Sequence, residues 1–263
     1  MFSWLRSLRA GPRIPDAAWQ ATLERYRFLA ELPAPEAARL RELTALFLRD
    51  KRFHGAKGFV ITDEVALAIA AQAVLPVLHL RGGLTWYDDF VGIVVHAEEV
   101  VARRRVTDPA QVVHEYDEVI AGEAMENGPV TLSWKAVLDS GSTAGAGYNV
   151  VIHEFAHKID MRDGAVDGCP PLPAGFAGAA SANAARAAWL AVLKPAYDDF
   201  REKTILADRF GTEAPWLDDY GAVSIGEFFA VACEAYFVNR QRFGADFAPL
   251  LALFDKFFKP RRG

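Results

Sequence analysis

The sequence predicts an α+β protein, mostly helical, with a small mixed sheet lying before one central helix. Three observations carry this prediction. Strand-like stretches at 90–97, 112–124 and 130–134 gather in one part of the chain instead of alternating with helices. Helical periodicity dominates on both sides of them. Next comes 147–164, GYNVVIHEFAHKIDMRDG, where Val150, Val151, Ile152, Phe155, Ala156 and Ile159 leave the polar residues on a single stripe of a largely buried helix.

From the N-terminus, residues 16–32 and 35–53 both show apolar residues at helical spacing, separated by Pro33 and Pro35. In the second, Leu40, Leu43, Leu46, Phe47 and Phe53 line one side while Arg39, Arg41, Glu42 and Arg49 face out. Phe59-Val60-Ile61 reads as a short strand, and Thr62 or Asp63 as the cap of the helix that follows. Residues 65–80 read as a buried core helix leading into an extended segment. They are too short for a membrane span and are interrupted by Gln72, Pro76 and His79. Asn127-Gly128-Pro129 is a turn, and the strand at 130–134 is placed as an edge along which an extended peptide could pair. Ser142, Thr143, Gly145 and Gly147 offer a turn-prone lead-in to the central helix, and Gly164 a stop. A loop rich in Gly, Pro and Ala follows, then a helix at 181–203 with a bend at Pro195 and a polar connector containing Trp216 and Tyr220. Ser224 caps a strongly apolar helix, IGEFFAVACEAYFVN, and a last amphipathic helix spans about 246–258. With no internal repeat and no separating linker, residues 1–263 are expected to form a single domain, the helices at about 15–53 packing onto the rest.

A chain of 263 residues with 52% apolar and 24% charged residues can bury a sizeable core. Its net charge of −5 argues against direct nucleic-acid binding. The basic run Arg103-Arg104-Arg105 reads as a solvated strand or loop end. Cys169 and Cys233 give no disulfide framework and fit a reducing compartment. The first 15 residues make a poor signal peptide, so a cytoplasmic location without membrane association is expected.

Chemistry points to the central helix. His153 and His157, four apart, lie one turn above each other and can grip one metal ion, while Glu154 can reach a water on that ion. A catalytic zinc site takes three protein ligands and keeps a position open, so a third ligand is needed. An extended HExxHxxGxxH motif would place it at Asp163, but the glycine position holds Asp160. The other route is a carboxylate from a separate helix, for which Glu227 and Glu234 both qualify. Being seven apart, they lie on nearly the same face. Glu234 also suits a role as acceptor for a ligand histidine's second N–H, or as a salt-bridge partner of Arg240 or Lys158.

HEFAHKID, followed after a long gap by a tyrosine and then GEFFAV, resembles the Mlc titration factor A family of bacterial zinc metallopeptidases. The PVLHL, NGPVTLSW and GYNVVIHE segments extend the resemblance over most of the chain, most weakly in the first 30 residues and at 165–215. The resemblance implies a zincin-like fold, one zinc per chain held by His153, His157 and Glu227, and Glu154 as catalytic base. The family's site is similar to that of the anthrax lethal factor catalytic domain, which implies a catalytic role for Tyr220, seven residues before Glu227. No matched position departs from the pattern. The function implied is a zinc-dependent, aminopeptidase-like peptidase using a zinc-activated water, with a regulatory role. The alternative is a regulatory binding protein that sequesters an Mlc-like transcriptional repressor, with peptidase activity secondary.

Overall fold

The computed structural model describes residues 13–107 and 113–260, so the signal-peptide reading falls mostly on residues outside those described. Three helices open the described residues: α1 (Asp16–Arg25), α2 (Arg27–Ala30) and α3 (Ala34–Asp50). Then come β1 (Arg52–Gly55), α4 (Asp63–Val74), β2 (Gly92–His96), β3 (Val100–Thr107), β4 (Val113–Ile120), β5 (Gly122–Ala124) and β6 (Val130–Ser133). The remainder is helical: α5 (Trp134–Thr143), α6 (Val150–Asp160), α7 (Ala182–Phe210), α8 (Ile225–Val238), α9 (Arg240–Asp246) and α10 (Ala248–Phe258). The architecture is the α+β, zincin-like one expected, mostly helical with a small mixed sheet ahead of α6. Within that sheet the order is β1-β2-β6-β5, the first three strands parallel and β5 antiparallel to β6. β3 and β4 form a separate antiparallel ribbon, with Val100 opposite Ile120 and Thr107 opposite Val113.

α6 runs through the middle of the core. Its Phe155 packs edge-on or tilted against Phe47, Tyr87 and Phe90, with ring centroids 5.7, 5.0 and 6.0 Å away. α4 covers another side and is buried all round from Val65 to Val74, which is why its sequence shows no polar stripe. α8 packs along α6 and turns Phe228 and Phe229 toward Phe200, Trp189 and Phe254. No helix among the described residues is long and apolar enough to cross a membrane.

Several local expectations are corrected. Phe53 belongs to β1, not to the helix before it. Lys51 is extended, and its ammonium donates to the carbonyls of Tyr87 and Phe90, drawing the chain into the sheet. Residues 59–61 form no strand: Lys57 and Gly58 take positive φ, turn the chain off the sheet and leave Val60 exposed. After α4 the chain does not extend but coils into a 3-10 turn at Leu75–Val77, with Leu75, Val77, Leu78 and Leu80 all buried. Ser142 and Thr143 end α5 instead of forming a loose lead-in. Ser133 closes β6 and caps that helix at once, so no loop separates them. α7 contains Pro195 and runs on to Phe210, and the last helix starts at Ala248 because α9 ends at Asp246. β6 is interior, paired on both sides, so it cannot receive a peptide; the edge facing α6 is β5.

The loop after α6 is pinned at Gly168, whose φ is +75°. A Cβ there would stand 2.8 Å from the Ile225 carbonyl oxygen and 2.8 Å from Leu193 Cδ2. Gly168→Ala should therefore cost about 1–3 kcal/mol of stability, from a disfavoured backbone and a forced shift of neighbours. Urea titration of both proteins checks this, and an unchanged midpoint would show that the loop relaxes freely.

Candidate metal centre

The start of α6 is set by a buried amide pair. Asn149 caps the helix by accepting from the Ile152 N–H at 2.9 Å, and its own Nδ2 donates to Gln72 Oε1 at 2.7 Å. The Asn149 backbone N–H donates to Glu234 Oε2. Glu234 Oε1 lies 2.7 Å from His153 Nδ1, so one carboxylate on α8 fixes both the position of the helix start and the first histidine. Of the alternatives for Glu234, the acceptor geometry is the one present. Arg240 pairs with Asp255 instead, and Lys158 with Asp89.

Because Nδ1 is engaged by a carboxylate, it is Nε2 of His153 that faces the cavity, and in the neutral ring that atom would carry the lone pair. That atom is 3.2 Å from His157 Nε2, and each lies 3.1 Å from Glu227 Oε2. Tetrahedral zinc with ~2.1 Å bonds spaces its ligands roughly 3.4 Å apart. The three facing acceptors thus have the spacing and the donor set of a zinc site, and among the described residues this is the group that could hold a metal ion. Glu227 reaches it from the first turn of α8, where Ser224 caps the helix by accepting from the Glu227 N–H at 3.2 Å. Asp163 is exposed and accepts from the Ala165 N–H, while Asp160 is buried and accepts from the Gly168 N–H. Neither joins the three ligand atoms.

The electrostatics of the cluster favour positive charge between its carboxylates. Burial works against charge on His153, but its carboxylate partners Glu227 and Glu234 outweigh this and push its pKa well up. Burial pushes His157 down, and its Nδ1 has no hydrogen-bond partner among the described residues. Burial also disfavours charge on Glu227, yet the two imidazoles hold its carboxyl well below the usual range. A dication at the same point would compete with protonation of these side chains, making metal uptake weaker at low pH.

Glu154, on the same helix turn, is buried against Gly122. Desolvation there pushes its carboxyl up to about 8, and a dication nearby would draw it back down. A cavity of about 530 Å³ opens over these residues. It is lined by Ala121 to Ala124, by Tyr148, and by Asp218, Asp219 and Tyr220. The Tyr220 ring centroid is 6.1 Å from that of His153. Sequence reasoning brought His153, Glu154, His157, Glu227 and Tyr220 forward, and all five line this cavity. It ran β5 together with β4 as one stretch at 112–124, and it did not bring Tyr148 forward. Tyr148 immediately precedes the capping Asn149, a recognisable helix-start signal that points to the cavity mouth.

Comparison with known proteins adds the family. The model of the glucose-regulated metallo-peptidase M90 family matches residues 2–259. The chain belongs to this family. A protein of Synechocystis sp. described as uncharacterized is 32% identical over 242 residues, covering 91% of this chain and 82% of its own. Proteins named Mlc titration factor A from Yersinia pestis and Yersinia pseudotuberculosis are each 30% identical over 260 residues, covering 98% of this chain and 90% of theirs. Membership of a metallopeptidase family implies a metal, and the three facing ligand atoms are where this M90 chain can hold one.

If the ligand set is His153, His157 and Glu227, Glu227→Ala should abolish stoichiometric metal. Glu234→Gln should keep the site but weaken metal affinity by about 10–100-fold, since it alters only the support of His153. Metal analysis after dialysis against graded chelator separates the two, and a reversed order would exchange their roles.

Proposed function

We propose that the chain is a zinc-dependent peptidase of gluzincin type, working as one domain in the cytoplasm with an aminopeptidase-like preference and a regulatory role. The observation that carries this reading is the convergence of His153, His157 and Glu227 on one point, with Glu154 buried beside them in the same cavity. Zinc held there would polarise the scissile carbonyl and acidify water. The chain's own groups supply the rest. Glu154 takes a proton from the attacking water and delivers it to the departing amine, a role suited to a carboxylate whose pKa is raised by burial. Tyr220 donates a hydrogen bond to the developing oxyanion. β5, at the edge of the sheet, offers its backbone to an extended peptide.

The aminopeptidase-like preference is supported by charge. Besides Glu154, Glu227 and Glu234, the cavity is lined by Glu123, Asp218 and Asp219, and no Lys or Arg faces it among the lining residues. Such a surface favours the ammonium at a peptide's N-terminus over an anionic group. A second reading, sequestration of an Mlc-like transcriptional repressor with hydrolysis secondary, is supported by the name of the Yersinia relatives.

Glu154→Gln should retain zinc and fold yet lose nearly all turnover on aminoacyl and short-peptide chromogenic substrates. A metal-replete variant that still turns over would refute the mechanism. Tyr220→Phe should lower kcat by about tenfold to a thousandfold with KM, zinc content and melting temperature nearly unchanged. If kcat holds and stability drops by about 1 kcal/mol instead, Tyr220 serves packing and leaves the reaction.

A further inference from the structure

α6 presents two working stripes. His153 and His157 form the first, and Glu154 and Lys158, also four apart, form the second and face β5. At one end of β5, Gly122 lies on Glu154: a Cβ there would stand 2.5 Å from Oε1. The strand therefore rests on the carboxylate with no space for a side chain between them. At the other end, Lys158 Nζ donates to the carbonyl of Met125 at 2.7 Å and to that of Gly128 at 3.2 Å. These two residues bracket the turn that joins β5 to β6, where the Gly128 N–H bonds back to the Met125 carbonyl. The third bond goes to Asp89 Oδ2 at 3.0 Å, and Nζ sits 4.5 Å from the Phe90 ring centroid. An ammonium has three donors, and all three are used here in full burial.

We propose that Lys158 is a positioning residue for the peptidase reaction. It clamps the β5–β6 turn so that the edge strand, and any substrate paired with it, sits at a fixed height over Glu154. This inference rests on the peptidase reading above. β5 is three residues long and the sheet flanks it on one side only, the kind of element that frays unless something ties it down. Beyond it Met125 is half-exposed and Glu126, Asn127 and Gly128 carry little burial, so the turn has little apolar packing to hold it in place. Lys158 supplies that tie from the residue next to a proposed metal ligand. One rigid helix then sets both the two histidine ligand atoms and the strand facing them, in keeping with the tolerance of a catalytic arrangement for only small displacements.

The test compares zinc-loaded, full-length wild type with Lys158→Met, which keeps an unbranched side chain one atom shorter and removes its donors, and with Asp89→Asn, which removes the counter-charge that Lys158 shares with Arg162. Amide hydrogen exchange over 121–128 should rise on the order of tenfold in Lys158→Met and less in Asp89→Asn, with exchange in α8 unchanged. Zinc content should stay at one per chain. The kcat/KM of a tetrapeptide should fall on the order of tenfold further than that of an aminoacyl arylamide, chiefly through KM, because only the longer substrate runs along β5. Unchanged exchange at 121–128 would overturn the proposal. So would an equal loss on both substrates accompanied by a lower melting temperature, the behaviour of a lysine that only supports the core. If Lys158→Met does not fold, Asp89→Asn carries the same comparison with the same two outcomes. If wild type cleaves neither substrate, the peptidase reading fails by itself, and the exchange measurement still decides whether Lys158 holds the strand.

Discussion

The carboxylate of Glu234 is the contact on which the site depends. Burying an acid this deeply costs several kcal/mol unless both oxygens find donors, and here one meets His153 Nδ1 and the other the Asn149 N–H. Both donors belong to the start of α6 while the acid belongs to α8, so the two helices cannot slide along each other without exposing an unpaired charge. The same contact selects which imidazole nitrogen faces the cavity. Glu227, two turns earlier on α8, is thereby carried to the height of both histidines.

Much of this was legible in the sequence because it follows from local rules. The i, i+4 histidines needed only a helix, and the caps at Thr62 (read as Thr62 or Asp63) and Ser224 follow from short polar side chains ahead of apolar periodicity. Both Glu227 and Glu234 stood out as acids in an apolar helix, but the sequence alone left open which one approaches the metal. Their different contacts, Glu234 on His153 Nδ1 and Glu227 on both Nε2 atoms, appear only when α6 is laid against α8. The errors share a cause as well. Phe53 joined the preceding helix by periodicity, and the strand at 130–134 looked like an edge, because a strand's neighbours are chosen by distant residues. β5, only three residues long, carries too little pattern to separate itself from β4 within the stretch at 112–124, yet it is the strand that reaches the cavity.

The aromatic core shows a second kind of non-local decision. The ring of Phe90 lies between two ammonium groups, Lys51 Nζ at 3.9 Å and Lys158 Nζ at 4.5 Å. Both lysines satisfy themselves largely on backbone carbonyls. Burial pushes Lys51 down to about 8, with Asp89 the foremost opposing influence. A lysine in a sequence reads as surface, and only the presence of convergent carbonyls turns it into an internal fastener.

The separation of the site's halves along the chain has a topological consequence. His153 and Glu227 are 74 residues apart, and the whole of α7 with its flanking loops lies between them. An ion bound by both would close that stretch into a ring, acting on the unfolded ensemble much as a covalent cross-link does. The energy of coordination and the conformational freedom of α7 then become coupled quantities. Binding at the centre would restrain α7 through the two ends of that ring, and without an ion the two helices are still joined by the Glu234–His153 contact and by Glu227 against both histidines.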